Sequence, residues 1–494
     1  MSLSAAEGSK TCAHERGGEL TLHIPVPRCV TSSHAINPDA VRSYDLRGVV
    51  GRDLGLGDAR ALGLAYANVA RANGARRIAV GRDGRTSSPG LERALIAGLV
   101  EGGMIVYRCG LGPTPQLYFA VSEGLDGGIM VTGSHNPPGE NGFKIVLGAD
   151  PVYGDALQAL VRGERRAAEG GRVESFPVVG SYVRRLAQMA HEMKPFRVVW
   201  DCGHGAVGAM IGPLVQRLPG EHVLLNATVD GTFPAHHPDP SVAANLRQLQ
   251  DRVVTCNADI GIAFDGDGDR IGVVDSKGAI LWPDQLLLFL AEDVLRSIPG
   301  ATVVGDVKSS RVLFDGVQRL GGRAVMAPSG YVLIRAAMLR EQAPLAGEMS
   351  GHIVVGDDWC RVDDAIYVAL RTLVALSRRS GTLADFRENL PGTVSTPEVR
   401  LFCPAFRKQQ VINEVAARLL NSGARVDRTD GLRVMTDAGW WLLRASGTES
   451  KLAVRCEASD PQGLLELCRE LSEHLRRNGV DAAELCPVER LAAG

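Results

Sequence analysis

Three stretches of this chain repeat one pattern: a short apolar run, a polar loop opening near an aspartate, a helical stretch and a second apolar run. They are "RRIAVGRDGRTSSPGLERALIAGLVEGGMIVYRCG", "FRVVWDCGHGAVGAMIGPLVQRLPGEHVLLNATVDG" and "ATVVGDVKSSRVLFDGVQRLGGRAVMAPSGY". Their loop aspartates are Asp83, Asp201 and Asp306. Strand, crossover helix and strand make a βαβ unit, so the repeat implies parallel sheets covered by helices. The runs "IAV", "RVVW" and "TVVG" fit strands buried on both faces. Beyond residue 391 the pattern stops. "STPEVRLFCP", "GLRVMTDAGWWLLRAS" and "KLAVRCEAS" read as strands, and "AFRKQQVINEVAARLL" and "DPQGLLELCRELSEHLRRNG" as amphipathic helices. Such a mixture predicts a separate α+β domain. Polar or Pro-containing joins divide the chain into an N-terminal extension without order (1–35) and domains at 36–177, 178–279, 280–391 and 392–494.

Composition narrows the partners. Lys+Arg is 54 against 56 Asp+Glu, a net charge of -2, and no basic run exists. A nucleic-acid surface is therefore not expected. No apolar run approaches the ~20 residues of a membrane helix; "LLLFLAEDVL" is broken by charges. The first 33 residues lack the basic start and apolar core of a secretory signal, and the ten Cys form no CxxC pair. A cytoplasmic protein with thiols as small core residues is the expectation.

Four loops carry candidate chemistry. In "VTGSHNPPGENGFKIV" Ser134 stands beside His135, and Lys144 lies in an apolar run. Ser, Asn, Pro and Gly also make ordinary turns, so this stretch alone leaves a nucleophile and a turn both open. In "FDGDGDRIG" Asp265, Asp267 and Asp269 alternate with glycines that permit a tight loop, expected at the surface. Hard oxygens suit Mg²⁺ or Ca²⁺. An EF-hand is excluded, because its sixth position is Arg270 rather than Gly and its twelfth is Ser276 rather than Glu. In "GEMSGH" Glu348, Ser350 and His352 could hold sugar hydroxyls or form a polar turn. In "RASGTESK" Arg444, Ser446, Gly447 and Thr448 offer a guanidinium fork, two hydroxyls and backbone N–H groups for a phosphate.

The sequence resembles the α-D-phosphohexomutases, most closely the bacterial phosphomannomutase/phosphoglucomutase group. The likeness runs from about Ala35 to Pro487 and rests on "SYDLRGVVG", "TGSHNPPGENGFKIV", "HHPDP", "FDGDGDR", "GEMSGH" and "RASGTE", in that order. It implies an α/β fold: three repeated mixed α/β domains around a central cleft, plus a C-terminal α+β domain. It implies that Ser134 is the phosphoserine and that Asp265, Asp267 and Asp269, with the phosphoryl group on Ser134, bind Mg²⁺. Arg47, His135 and Lys144 would surround that phosphoryl group. Tyr44, Arg270 and Lys308 would line the cleft. Glu348, Ser350 and His352 would hold the sugar, and Arg444, Ser446, Gly447 and Thr448 its non-reacting phosphate. Phosphate would move between O1 and O6 of mannose or glucose through a hexose 1,6-bisphosphate, with glucose 1,6-bisphosphate or its mannose analogue as intermediate and activator. Lys144, Arg47 and His352 are the candidate acids and bases. Small hexose phosphates are the expected partners, and a monomer the expected state. A phosphoglucosamine mutase and a weakly catalytic sugar-phosphate-binding paralogue are the alternatives. One departure stands out. Relatives usually carry T-G-H-S where this chain has Ser329, Gly330, Tyr331 and Val332, so Tyr331 replaces a sugar-facing His. It either alters sugar preference or packs on the "MAPSG" turn.

Overall fold

In the computed structural model, which describes residues 34–357, 359–421, 423–446 and 450–485, each repeated stretch forms a parallel strand pair. Arg77–Arg82 pairs with Ile105–Leu111, Phe196–Asp201 with Gly220–Leu225, and Thr302–Asp306 with Arg323–Ala327. The central strand is apolar on both faces and fully covered in the third unit, where every residue of Thr302–Asp306 is buried. Helices Ser88–Glu101 and Arg311–Arg319 make the crossovers in the first and third units. In the second the expected helix shrinks to a 3₁₀ turn, Ala206–Ala209, and the short helix Ile211–Val215. At Gly208 this connection passes close to its neighbour: a Cβ there would lie 2.2 Å from the Ala227 carbonyl oxygen.

The sheets are not wholly parallel, as the repeat alone suggested. In each unit the first strand has a second parallel neighbour: Gly127–Val131, Ile260–Phe264 or Leu345–Gly347. That neighbour turns back as an antiparallel strand: Glu140–Leu147, Ile271–Asp275 or Ile353–Val355. The repeat therefore extends into a hairpin that the sequence pattern did not disclose. Ser134, the three aspartates and Glu348–His352 all lie on this same hairpin turn, in units one, two and three. Those turns stand at the carboxyl ends of parallel strands, where α/β sheets bind ligands.

The C-terminal unit is α+β, as expected. Strands Val394–Ser395, Val399–Phe402, Leu432–Met435, Gly439–Ala445 and Lys451–Ala458 join Arg425–Asp427 in one antiparallel sheet. Helices Ala405–Asn421 and Pro461–Arg476 pack their apolar residues against it. "GLRVMTDAGWWLLRAS" is two strands, because Gly439 (φ +157) and a Thr436 hydroxyl that accepts its N–H turn the chain back. This unit grips the third one through Arg433. Its Nη1 donates to the Val307 and Ser309 carbonyls, both at 2.8 Å, and its guanidinium lies 3.7 Å from the Trp440 ring centroid. One apolar cluster reaches into all of the first three units, and at their joins Phe119 of the first stacks on Trp359 of the third, with Tyr182 of the second tilted against both. No described helix is long and apolar enough to cross a membrane, and Cys109, Cys202, Cys256, Cys360 and Cys403 are free thiols. The N-terminal extension, apart from residues 34 and 35, lies outside the described residues.

Candidate active site

Strand alternation places the first cations. Arg47 on Leu46–Val49 faces Gly142, and Lys144 lies two residues further along that partner strand. With a period of two, Lys144 and Arg47 share a face. Gly142 makes room: a Cβ there would sit 3.1 Å from Arg47 Cγ. Arg47 donates to Asp45 at 2.8 Å and to the Asn136 side chain at 2.8 Å.

Ser134 occupies the left-handed region (φ 48). A non-glycine residue there costs on the order of 1–3 kcal/mol. Its N–H donates to Thr132 Oγ1 at 2.8 Å, and its carbonyl accepts from Arg85 Nη2 at 2.8 Å. Two such bonds, one to a charged group, offset that strain at about 0.5–3 kcal/mol each. Arg85, buried and paired with Asp83 at 3.2 Å, also donates to the carbonyls of Asn136, Pro137 and Glu140. It is the internal support of the serine loop, and the sequence reading missed it. Its one signal was a basic residue two positions after a loop aspartate.

Ser134 Oγ donates to Asp265 Oδ2 at 2.7 Å across the first two units. Gly266 permits this approach, since a Cβ there would lie 2.3 Å from the Ser134 carbonyl oxygen. Asp265 Oδ1 accepts the N–H groups of Asp269 and Arg270, closing the turn. Gly268 (φ +75) completes it. The expectation of a surface loop is corrected here: Asp265, Asp267 and Asp269 are 0%, 0% and 1% exposed. The loop is pressed beneath the serine turn and Thr114, whose Oγ1 donates to Asp267 Oδ2 at 2.5 Å.

Oxygens of the three aspartates lie within 4.8 Å of one another. Lys144 Nζ donates to Asp267 at 2.8 Å and also to Asp269. Burial alone would lower the Lys144 ammonium, yet those two carboxylates hold it well above its ordinary range. Burial likewise opposes charge on Asp267, but Lys144 holds its carboxyl well below the usual range. Asp265 lacks that contact, and burial with the Asp269 and Asp267 charges pushes it well up. Asp267 Oδ1 and Asp269 Oδ1 are buried with no hydrogen-bond partner among the described residues. Three converging carboxylates, two with orphaned oxygens and only one ammonium between them, fit a hard divalent cation.

Burial, with Arg270 and Arg47 nearby, pushes His135 down to about 3. His135 lies 3.1 Å from Asp239 in "HHPDP". Arg270 Nε donates to His352 Nε2 at 2.9 Å, and His352 Nδ1 lies 2.7 Å from Asp363. Asp363, which the sequence reading did not select, stands against the imidazole. Glu348 accepts from the Gly330 N–H at 2.7 Å and from Ser350 Oγ. Burial would raise Glu348, but Lys308, the Ser350 hydroxyl and Arg270 hold it at about 2. Lys308 Nζ lies 3.7 Å from Asp306 and 3.8 Å from Glu398. Tyr44 donates to the Ser329 carbonyl at 3.2 Å.

Tyr331 faces this gathering rather than only its own turn. Its ring stacks on His352 (centroids 5.5 Å apart), meets Tyr44 edge-on at 6.1 Å, and has Lys144 Nζ 6.0 Å from its centroid. Burial pushes its hydroxyl far up, so it is a neutral donor and acceptor. Arg444 donates through Nε to Asp430 at 2.9 Å, and Ser446 is buried beside it. Gly447 and Thr448 lie outside the described residues. The structure thus gathers Tyr44, Arg47, Ser134, His135, Lys144, the three aspartates, Arg270, Ser329, Glu348 and His352 through contacts between units.

Comparison with known proteins points one way. Residues 39–164, 180–278 and 282–394 match the phosphoglucomutase/phosphomannomutase alpha/beta/alpha domains I, II and III, and residues 398–474 the C-terminal domain of that family. A phosphoglucomutase of Neisseria gonorrhoeae is 41% identical over 87% of this chain and 95% of its own. A phosphomannomutase/phosphoglucomutase of Pseudomonas aeruginosa is 40% identical over 86% of this chain and 92% of its own. The crystal structure of a phosphoglucomutase/phosphomannomutase family protein from Burkholderia thailandensis superposes with a TM-score of 0.82 at 38% identity. That match covers 89% of this chain and 97% of the other.

Proposed function

Because the chain belongs to the phosphoglucomutase/phosphomannomutase family of α-D-phosphohexomutases, we propose that Ser134 is the group through which it moves phosphate. The protein is a phosphohexomutase, interconverting hexose 1-phosphate and hexose 6-phosphate of the mannose or glucose series. The observation that carries the role of Ser134 is its strained turn, with Oγ 2.7 Å from Asp265 and Lys144 bound to the two neighbouring carboxylates.

Asp265, Asp267 and Asp269 would hold Mg²⁺, which when bound supplies positive charge to the transferring phosphoryl group. Lys144, Arg47 and His135 surround the same group. Lys144 and Arg47 stay cationic, since nearby carboxylates outweigh their burial and raise both. Their work is to stabilise charge on the phosphoryl oxygens. His352 is the one of the three candidate bases that presents a lone pair. Its Nε2 accepts from Arg270. When Arg270 turns to a substrate phosphate, Nε2 is released to take the sugar hydroxyl proton. The sugar oxygen then bonds to phosphorus as the bond to Ser134 Oγ breaks, giving a hexose 1,6-bisphosphate. In the reverse transfer Ser134 Oγ bonds to the other phosphorus, and the sugar oxygen it displaces takes back the proton held by His352, restoring phospho-Ser134 and leaving the isomeric monophosphate. Glu348 and Ser350 hold the sugar, Tyr44 and Lys308 line its path, and Arg444 with Ser446, Gly447 and Thr448 takes the non-reacting phosphate. We place the divisions between units near 177, 279 and 391, and the enzyme works as a monomer.

The test is direct. With Mg²⁺ and a trace of glucose 1,6-bisphosphate, the protein should convert glucose 1-phosphate to glucose 6-phosphate. Intact mass should show one phosphate, ~80 Da, mapped to the peptide containing Ser134. Turnover by protein that never carries this phosphate would refute the reading.

Tyr331 gives a second expected result. A His there offers two ring nitrogens, whereas Tyr offers one neutral hydroxyl farther from the backbone. Glucose and mannose differ in the orientation of one hydroxyl, so one changed contact of ~1 kcal/mol should change their discrimination several-fold. Tyr331→His should shift the ratio of kcat/KM for the two 1-phosphates by that amount. A ratio within about twofold of the parent would show that Tyr331 contributes only its stacking on His352.

A further inference from the structure

Every polar group of Ser329 is engaged, each by a different partner. Its hydroxyl donates to Asp306 at 2.6 Å, its carbonyl accepts from Tyr44 at 3.2 Å, and its N–H donates to Asp430 Oδ2 at 3.2 Å. The same Asp430 oxygen accepts from Arg444 Nε at 2.9 Å. One carboxylate of the C-terminal unit therefore joins the arginine of the "RASGTE" loop to the backbone of the third unit's sugar-facing turn.

The turn that carries Asp430 is built for this approach. It links strands Arg425–Asp427 and Leu432–Met435, which pair with each other. The next residue, Gly431, has φ +82, and a Cβ there would fall 2.3 Å from the Leu443 carbonyl oxygen and 2.8 Å from Arg444 Cα. Only glycine lets the turn lie against Arg444. Both side chains of the pair are largely covered, Arg444 being 14% and Asp430 21% exposed. A partly dry ion pair is stiffer than one in open water, because fewer water molecules compete for it.

We propose that Asp430 is a positioning residue: it fixes the plane of the Arg444 guanidinium and pins it to the sugar-facing turn at Ser329. By taking Nε, it turns the planar Nη1–Nη2 edge into the edge that a phosphate can bridge with two parallel hydrogen bonds. An arginine ordered before the ligand arrives loses less side-chain freedom on binding. The carboxylate also carries a cost, since it stands near the incoming dianion, and the sign of the effect of its removal decides which contribution prevails. The proposal rests on the reading of Arg444 as the ligand of the non-reacting phosphate.

The experiment is a double-mutant cycle on the full-length enzyme with Asp430→Ala, Arg444→Ala and both together. It measures kcat and KM for glucose 1-phosphate and the competitive inhibition constant of inorganic phosphate. Arg444→Ala should weaken both substrate and phosphate binding about tenfold or more. Asp430→Ala should raise KM and the phosphate inhibition constant together, each about five-fold, with kcat within about twofold. It should add nothing in the Arg444→Ala background. Asp430→Asn should recover part of the loss, because its amide oxygen still accepts from Nε. If Asp430→Ala fails to fold, Asp430→Asn carries the same cycle with a smaller expected effect. Independent, multiplicative effects, an unchanged KM, or tighter phosphate binding on removing the carboxylate would each overturn the role of Asp430. An Arg444→Ala enzyme with unchanged KM would instead overturn the phosphate reading of Arg444 itself.

Discussion

Ser134→Ala should reduce kcat by on the order of 10⁴-fold or more, since removing a covalent carrier removes the two-step path itself. The residual rate would come from positioning and electrostatics alone. The protein should stay folded. The lost contact is one hydrogen bond to Asp265, and Ala keeps the same backbone conformation, already held by Thr132 and Arg85. The loss of fold stability should be about 1–3 kcal/mol, the cost of leaving one buried acceptor without its donor. Circular dichroism and the melting temperature separate that modest loss from the loss of turnover. A Ser134→Ala protein with native kcat would place the phosphoryl carrier elsewhere.

Asp267→Asn should lower activity by about 10³-fold, because two carboxylates and an amide hold a hard cation poorly against water. Here the buried position of the loop matters. A surface carboxylate could be removed without structural consequence, but Asp267 is half of the partnership that neutralises Lys144. Asp269 keeps the ammonium paired, so the fold should survive. A readout independent of turnover is available. A ligand at 100 times its Kd stabilises the folded state by about 2.7 kcal/mol, so Mg²⁺ should raise the melting temperature of the parent. It should leave Asp267→Asn nearly unmoved. An equal Mg²⁺-dependent rise in both proteins would show that the ion binds outside this loop.

The fold was legible where local pattern and long-range pairing agree. "RRIAV", "FRVVW" and "ATVVG" became the central strands because a continuous apolar run without helical spacing can be covered on both faces only in a parallel sheet. The α+β character of the C-terminal unit followed from its amphipathic helices in the same way. The hairpin that completes each repeat was not legible. Its return strands, such as Ile271–Asp275, are short and apolar, and nothing in five such residues states that they run antiparallel. Direction is set by the turn before them and by which sheet edge is open. Arg85 was overlooked for a related reason. An arginine in a Gly- and Ser-rich loop reads as a solvated charge, and only the carbonyls of the serine turn, some fifty residues away, make its burial affordable.

The sequence by itself determined the chemistry offered: a serine in a tight turn, three carboxylates at alternate positions, a Glu–Ser–His loop and an arginine fork. Residue type and spacing fix which atoms can donate, accept or bind a cation, whatever the fold. Only the tertiary structure decided what those atoms face. It set Ser134 against Asp265 and stacked Tyr331 on His352. It held Lys144 cationic between Asp267 and Asp269, and joined Arg444 to Ser329 through Asp430. All but the Tyr331–His352 stack depend on packing between units far apart in the chain. Charge state and orientation follow from burial and neighbouring charge, which are properties of a place rather than of a residue.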